Sequence, residues 1–134
     1  MNSPGTNLSV NNVAFRYAHL ENPRDDDGWQ EGDDVPLYMW LLNQTDTETE
    51  IVSVTSPLTS DVVLADGELP LELPPGELLE LGPDGQHLVM QDIEYQFFGQ
   101  EFVPVQVTLG DGTEVEFDVE AIDADISAPP TFSP

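Results

Sequence analysis

The sequence has 134 residues and carries 27 acidic side chains, two arginines, no lysine and no cysteine, which gives a formal net charge of −25. A single domain of this length buries enough surface on folding to need no disulfide or structural metal. The charge disfavours nucleic acid and anionic lipid as partners, because both carry negative phosphates. The absence of cysteine excludes disulfides, thiolate metal sites and cysteine nucleophiles.

Short apolar or alternating runs follow one another along the chain and are separated by Gly, Pro and Asp turns. No segment shows helical spacing over three turns. We predict strands at 8–20, 35–44, 49–57, 60–65 and 69–74, two more within 76–97, and a hairpin from 103–109 and 115–119. Seven to nine such strands indicate an all-β protein with an antiparallel Greek-key sandwich.

One domain is expected over residues 9–121, with a flexible N-terminal tail at 1–8 and a loose, proline-rich tail at 122–134. No stretch approaches the ~20 apolar residues of a membrane span. The first residues, MNSPGTNLSV, lack a basic segment followed by an apolar one. The residues alone leave two alternatives open: a cytoplasmic protein, or an exported one whose signal segment has been removed.

The acidic loop PRDDDGWQEGDD (23–34) partly matches a calcium-binding loop. Aligning Gly28 with the loop glycine places Asp25 and Asp27 at ligand positions, but Pro23 then occupies the first ligand position. We interpret the segment as a solvated acidic loop. The chain also lacks a G-x-S-x-G elbow, a P-loop and a lysine for Schiff-base chemistry, so the sequence indicates a protein that is not an enzyme.

The stretch PDGQHLVMQDI (83–93) combines an imidazole with a thioether, and these two ligands together suit Cu(I). Residues i and i+3 of a strand point to opposite faces. His87 and Met90 therefore share a site only if a bulge or strand end re-aims one of them. Periodicity alone places Met90 in the core and His87 near the surface, and it places Met39 in the core. His19 has no soft ligand near it in the sequence.

Three segments in order resemble periplasmic copper chaperones of the PCu(A)C type. They are DDVPLYMWLLNQTDTETEIVSVTSP (33–57), LPLELPPGELLELGPDGQHLVM (69–90) and FVPVQVTLGDGTEVEFDVEA (102–121). They are similar to the family's Tyr-Met…Asn…Ser-Pro segment, its glycine turn followed by a His-x-Met pair, and its closing hairpin. The acidity and the abbreviated middle resemble the actinobacterial, lipid-anchored branch.

The resemblance implies a cupredoxin-like sandwich outside the cytoplasm, secreted or anchored as a lipoprotein, with the signal segment absent from this sequence. It implies delivery of Cu(I) to a copper-accepting protein, such as a cytochrome oxidase subunit or its assembly factor. Two methionines and a His-x-Met pair hold copper in the family. His87 matches the family histidine, while Val89 stands at the methionine position. The predicted ligands are therefore His87 and, as the second, Met90.

Three functions stay open. The first is a copper-handling protein with His87 as its primary ligand, and the second is a metal-free binding or assembly module that keeps the chaperone fold. The third is a scaffold whose acidic surface collects divalent cations loosely. A structure with the imidazole turned away from every thioether, and with Met90 sealed between the sheets, would remove this His87–Met90 copper proposal and leave only a retained scaffold.

Overall fold

The computed structural model describes residues 6–21, 28–82, 86–96 and 102–122. These residues form strands and no helix, which confirms the predicted all-β class. The eleven strands are β1 (Thr6–Val10), β2 (Val13–Glu21), β3 (Val35–Asn43), β4 (Thr49–Thr55), β5 (Asp61–Leu64), β6 (Leu71–Leu73), β7 (Leu78–Leu81), β8 (Leu88–Gln91), β9 (Val103–Leu109), β10 (Glu114–Val119) and β11 (Ala121–Ile122).

The strands form two sheets. The seven-stranded sheet has the order β1-β2-β3-β8-β5, with β11 beside β2 and β7 beside β3, and the four-stranded sheet has the order β10-β9-β4-β6. All pairs are antiparallel except the short β11–β2 pair. The neighbours β3 and β8, and β4 and β9, are far apart in sequence, as expected of the predicted Greek-key sandwich.

The core lies between the sheets and is built by alternation along the strands. In β9 the residues Val103, Val105, Val107 and Leu109 are buried and their neighbours are more exposed. In β3 the core face carries Val35, Leu37, Met39 and Leu41. The outer face of β3 is also largely buried, and this confirms the prediction that the continuous apolar run at 35–44 is a strand covered on both faces.

The predicted single strand at 8–20 is wrong, because it is divided into β1 and β2 by a tight turn. Asn11 and Asn12 both adopt positive φ angles, 49° and 63°. Consecutive residues with positive φ form the type I′ turn that suits the twist of a hairpin, and asparagine tolerates this conformation better than most residues. The Asn-Asn pair was the turn signal in the sequence.

A buried asparagine fixes the corner where β3 ends. Asn43 is fully buried, and its amide nitrogen donates to the carbonyl oxygens of Thr47 at 2.8 Å and Leu73 at 3.0 Å. Its amide oxygen accepts from the backbone and hydroxyl of Thr45 at 3.0 and 2.6 Å. Because Leu73 belongs to β6, one side chain ties the end of β3 to the four-stranded sheet.

The closing hairpin forms where the sequence predicts it, with β9 and β10 in regular register. Gly112 has a φ of +89°, which favours glycine at this turn. The backbone nitrogen of Thr113 donates to a carboxylate oxygen of Asp111 at 2.9 Å. Hydrogen bonds from the side chain and the backbone of Thr113 lower the pKa of Asp111 below its ordinary value.

Residues 6–8 of the predicted N-terminal tail lie in β1, and Ile122 of the predicted C-terminal tail lies in β11. The first strand begins at Thr6 and the last ends at Ile122, while residues 1–5 and 123–134 lie outside the described residues. Asp25 and Asp27 of the acidic loop lie outside them too. The described part of the chain contains no helix with the length and apolar character needed to cross a membrane.

Candidate metal site

His87 directly precedes β8 and is half-buried on the outer face of the seven-stranded sheet. Leu88 pairs with Leu37 in β3, so His87 lies opposite Tyr38. The centroids of these two rings are 5.5 Å apart, with an edge-on angle of 66°. Three hydrogen bonds attach this part of the chain to the end of β5. Ala65 N donates to His87 O at 2.9 Å, Asp66 N donates to Gln86 Oε1 at 3.0 Å, and Gln86 Nε2 donates to Asp66 O.

His19 lies in the same row, one strand further along. It pairs with Tyr38 across β2 and β3, and their ring centroids are 5.4 Å apart. Between Arg16 and His19 the register shifts, so β2 has one residue more than β3. This bulge reverses the alternation of β2 and directs His19 to the outer face, where it is only 3% exposed.

Sequence reasoning assigned no role to His19 and Tyr38. A signal for their proximity was present in β2, because its core residues are Val13 and Phe15 and then Ala18 and Leu20. The change from odd to even positions requires an extra residue between Phe15 and Ala18. That residue is what places His19 beside Tyr38.

Tyr38 is also fixed at its hydroxyl group, which donates to a carboxylate oxygen of Glu21 at 2.8 Å. The indole nitrogen of Trp29 donates to the backbone oxygen of the same glutamate at 2.9 Å. Tyr38 itself is only 5% exposed. The tyrosine is therefore held by its hydroxyl and contacts one imidazole in β2 and another directly before β8.

Met90, the predicted second ligand, lies on the opposite face of β8 from His87. It is fully buried in the core together with Leu88, and it pairs with Val35 and Val62. The strand carries no bulge at this point, so the alternation of side chains separates the histidine from the methionine. Met39 is fully buried in the same core. Neither thioether lies on the face that carries His87.

Val89 occupies the outer-face position two residues after His87. It is half-buried and pairs with Pro36 on β3 and Val63 on β5. This aliphatic row runs beside the row of His19, Tyr38 and His87. A thioether at this position would lie next to the imidazole, but valine supplies none.

The described residues therefore present one partly accessible imidazole on this face. They contain no group of three or more His, Asp or Glu side chains arranged to hold a metal ion. A single neutral imidazole can bind a soft or borderline cation, but without a second protein ligand it gains nothing from chelation.

Residues 8–121 match the model of the LpqE-like family. The chain belongs to this family. Its relatives include proteins named "Putative lipoprotein LpqE" from Mycobacterium tuberculosis and Mycobacterium bovis, each 34% identical over 83 residues. Those matches cover 61% of the chain and 44% of the relative, so the chain spans less than half of their length.

Solved structures with the same fold confirm the resemblance to PCu(A)C-type domains. The copper-bound PCuAC domain from PmoF2 has a TM-score of 0.73 at 21% identity and covers 90% of this chain and 99% of its own. The apo PCuAC domain from PmoF1 has a TM-score of 0.74, also at 21% identity, and covers 90% and 100%. The Cu(I) form of DR1885 from Deinococcus radiodurans has a TM-score of 0.62 at 19% identity, covering 81% and 78%. The names of these relatives describe lipoproteins and copper-binding domains and not enzymes.

Proposed function

We propose that this domain is an extracytoplasmic copper-handling protein that carries Cu(I) weakly, with the imidazole of His87 as its copper-anchoring ligand. The observation that carries the proposal is the position of His87: half-buried on the outer face at the start of β8, and opposite Tyr38. Copper-bound domains with the same fold support a copper role. The net charge of −25 supports it as well, since it concentrates cations at the surface.

The proposed site uses His87 without Met90. Met90 and Met39 are both fully buried, so either thioether would reach the imidazole only after the core had opened. We infer that the remaining ligands come from outside the described residues, chiefly from the copper-accepting protein. A carrier with one strong ligand of its own releases copper readily to an acceptor that offers several.

The proposed acceptors are copper enzymes outside the cytoplasm, such as cytochrome c oxidase, or their assembly factors. Relatives named as lipoproteins support a lipid anchor at the membrane surface. Such an anchor would restrict the search for an acceptor to the membrane plane. The anionic domain itself would stay off an anionic bilayer, because like charges repel.

A second candidate function is a metal-free binding or assembly module. The specific observation in its favour is that Val89 lies beside His87, where the family resemblance implies a methionine, while both described methionines are buried in the core. This is the arrangement that the sequence analysis expects of a retained scaffold. In that case the domain keeps the fold and binds a partner protein without carrying copper.

One titration separates the two candidates. The apo-protein is titrated anaerobically with Cu(I) against a weak chromogenic chelator, chosen so that a site with one imidazole can still compete with it, and the experiment is repeated with His87→Ala. Gln91→Ala, at the exposed far end of β8, is the matched control. We expect the wild type and the control to retain one equivalent of copper and His87→Ala to lose it. A wild type that retains no copper favours the metal-free module, and equal binding by His87→Ala refutes His87 as the anchor.

A further inference from the structure

A cleft of about 670 Å³ separates the end of β4 from β5 at one edge of the sandwich. One wall is formed by residues 53–56 and the other by residues 61–64, which are the whole of β5. The two walls diverge from a short connection, in which Ser56 pairs with Thr59, and they belong to different sheets. A cleft of this volume falls within the range of ligand-binding sites, and the proposed copper site does not use it.

The wall formed by β5 is the free edge of the seven-stranded sheet. β5 is the last strand in the order of that sheet and pairs only with β8 among the described strands. Ala65 N donates to His87 O, so the backbone groups of Ala65 face β8. Because this direction alternates along a strand, Val63 also faces β8, whereas Val62 and Leu64 point to the free edge. Each of these two residues therefore offers one donor and one acceptor to a further strand.

The opposite wall is a second strand edge. β4 pairs with β9 on one side, and on the other side its pairing with β6 ends at Ile51. Residues 53–55 continue the strand beyond that point and line the cleft. The hydroxyl groups of Ser53, Thr55 and Ser60 belong to the lining and can donate to or accept from a ligand. The cleft is therefore suited to a polar, extended ligand.

The charge of the lining is negative. Asp61 and Glu68 are exposed residues of the cleft, and none of its described lining residues is basic. The chain as a whole carries 27 acidic residues and two arginines. A second copy of this chain is repelled by that charge, whereas a segment that contains lysine or arginine is attracted. The charge therefore favours a basic partner over self-association.

We propose that the cleft binds an extended segment of a partner protein that contains lysine or arginine, and that this segment adds to β5 as a further strand. In strand addition the main chain of the segment pairs with the free edge, here at Val62 and Leu64, and side chains supply the specificity. The basic side chains contact Asp61 and Glu68. The four residues of β5 span about 13 Å of extended chain, so the contact is short and the binding weak.

This partner surface goes beyond copper handling, because it serves a copper carrier and a metal-free module equally. Strand edges that are short and charged resist indiscriminate pairing. β5 has both properties, since it has four residues and begins with Asp61. An acidic edge of this kind excludes most extended segments and admits those of opposite charge.

The test uses a short capped peptide of alternating lysine and valine as the probe. It is added to the isotope-labelled protein at low ionic strength, where screening of charges is weak. Amide NMR signals report where the peptide binds, and amide hydrogen exchange reports whether backbone hydrogen bonds form. One control peptide has glutamate in place of lysine. A second keeps lysine and is N-methylated at every backbone amide, so it keeps the charge and loses the donors.

Two protein variants test the charge. The first combines Asp61→Asn with Glu68→Gln and removes both carboxylates of the cleft. The matched control combines Glu114→Gln with Glu116→Gln, at exposed positions of β10 outside the cleft. Both variants lose the same net charge. A difference between them therefore reports the position of the charge and not its amount.

We expect the lysine peptide to shift the amide signals of β5 and to slow hydrogen exchange at Val62 and Leu64. The variant of Asp61 and Glu68 should weaken its binding about fivefold, as expected of two exposed ion pairs, and the β10 variant by less than about twofold. The N-methylated peptide should bind at least about tenfold more weakly, because its backbone donors are lost. The glutamate peptide should not bind.

Four results overturn the proposal. The first is the absence of any change at β5, and the second is binding at another edge such as β10. The third is equal binding of the N-methylated peptide, which would show attraction by charge without strand pairing. The fourth is a dimer without peptide in which Val62 and Leu64 are protected, which would assign the cleft to a second copy. If the variant of Asp61 and Glu68 does not fold, the comparison of the two lysine peptides on the wild type decides.

Discussion

Placing a thioether beside His87 should strengthen the proposed copper site. Val89 lies two residues after His87 on the same face, and in an extended backbone two such Cα atoms are about 6.5 Å apart. A histidine side chain and a methionine side chain can each reach across half of that distance. His87 and a methionine at position 89 can therefore bind the same metal ion. Val89→Met therefore tests whether the proposed site at His87 lacks a sulfur ligand.

The expected gain is at least about tenfold in Cu(I) affinity, which corresponds to about 1.4 kcal/mol. The second ligand acts intramolecularly, at an effective concentration on the order of millimolar. The fold should tolerate the change, because Val89 is half-buried beside Pro36 and Val63 rather than in the core. We expect the free energy of unfolding to change by less than about 0.5 kcal/mol.

The assay is anaerobic Cu(I) competition, with Val89→Leu as the matched control because leucine approaches methionine in size and has no sulfur. Val89→Leu should bind as the wild type does. The double variant His87→Ala, Val89→Met should lose the gain. If Val89→Met binds no better than Val89→Leu while both remain folded, position 89 does not face the copper ligand and the proposed geometry of the site is refuted.

Three further predictions concern single side chains. Met90→Leu should leave Cu(I) affinity unchanged and cost less than about 1.5 kcal/mol of stability by chemical denaturation, because the residue fills the core; a loss of copper binding would contradict its placement. Asn43→Asp should cost about 3 kcal/mol or more, since a carboxylate would face the Leu73 carbonyl that the amide now satisfies; a near-neutral effect would contradict this contact. Thr113→Val should raise the pKa of Asp111 in an NMR titration, because it removes a hydrogen bond that lowers this pKa. Because the folded-state pKa of Asp111 is lowered, this contact stabilises the protein at pH values above the unfolded-state pKa of about 4. The stabilisation is lost as the pH falls through the folded-state pKa. An unchanged pKa of Asp111 in Thr113→Val would contradict the role of this hydrogen bond.

The strand pattern was largely predictable because period-two alternation depends only on local sequence. The hairpin of β9 and β10 is the clearest case, since buried valines alternate on both sides of a Gly-Asp-Gly turn. The break between β1 and β2 was missed because the Asn11–Asn12 turn lies inside an otherwise continuous run. Alternation also anticipated that Met90 would be core and that His87 would lie near the surface.

The neighbours of His87 were not predictable from local sequence. Tyr38 is 49 positions away and lies beside His87 only because β8 pairs with β3, which is a consequence of the crossover. His19 reaches the row through a bulge whose position depends on how β2 fits β3. The pattern along β2 indicates an extra residue between Phe15 and Ala18. The residue of β3 that His19 then faces is set by the packing of the whole sandwich, and the pattern of one strand does not contain it.

The most direct test of the account uses the protein labelled at its methionine methyl groups and its histidine rings. Cu(I) is added anaerobically while both sets of NMR signals are followed. We predict that the His87 ring signals shift or broaden in proportion to the copper bound, and that the methyl signals of Met39 and Met90 keep their positions. A shift of the Met90 methyl signal with unchanged His87 signals would contradict the account, because copper would then enter the core and not bind at the outer face.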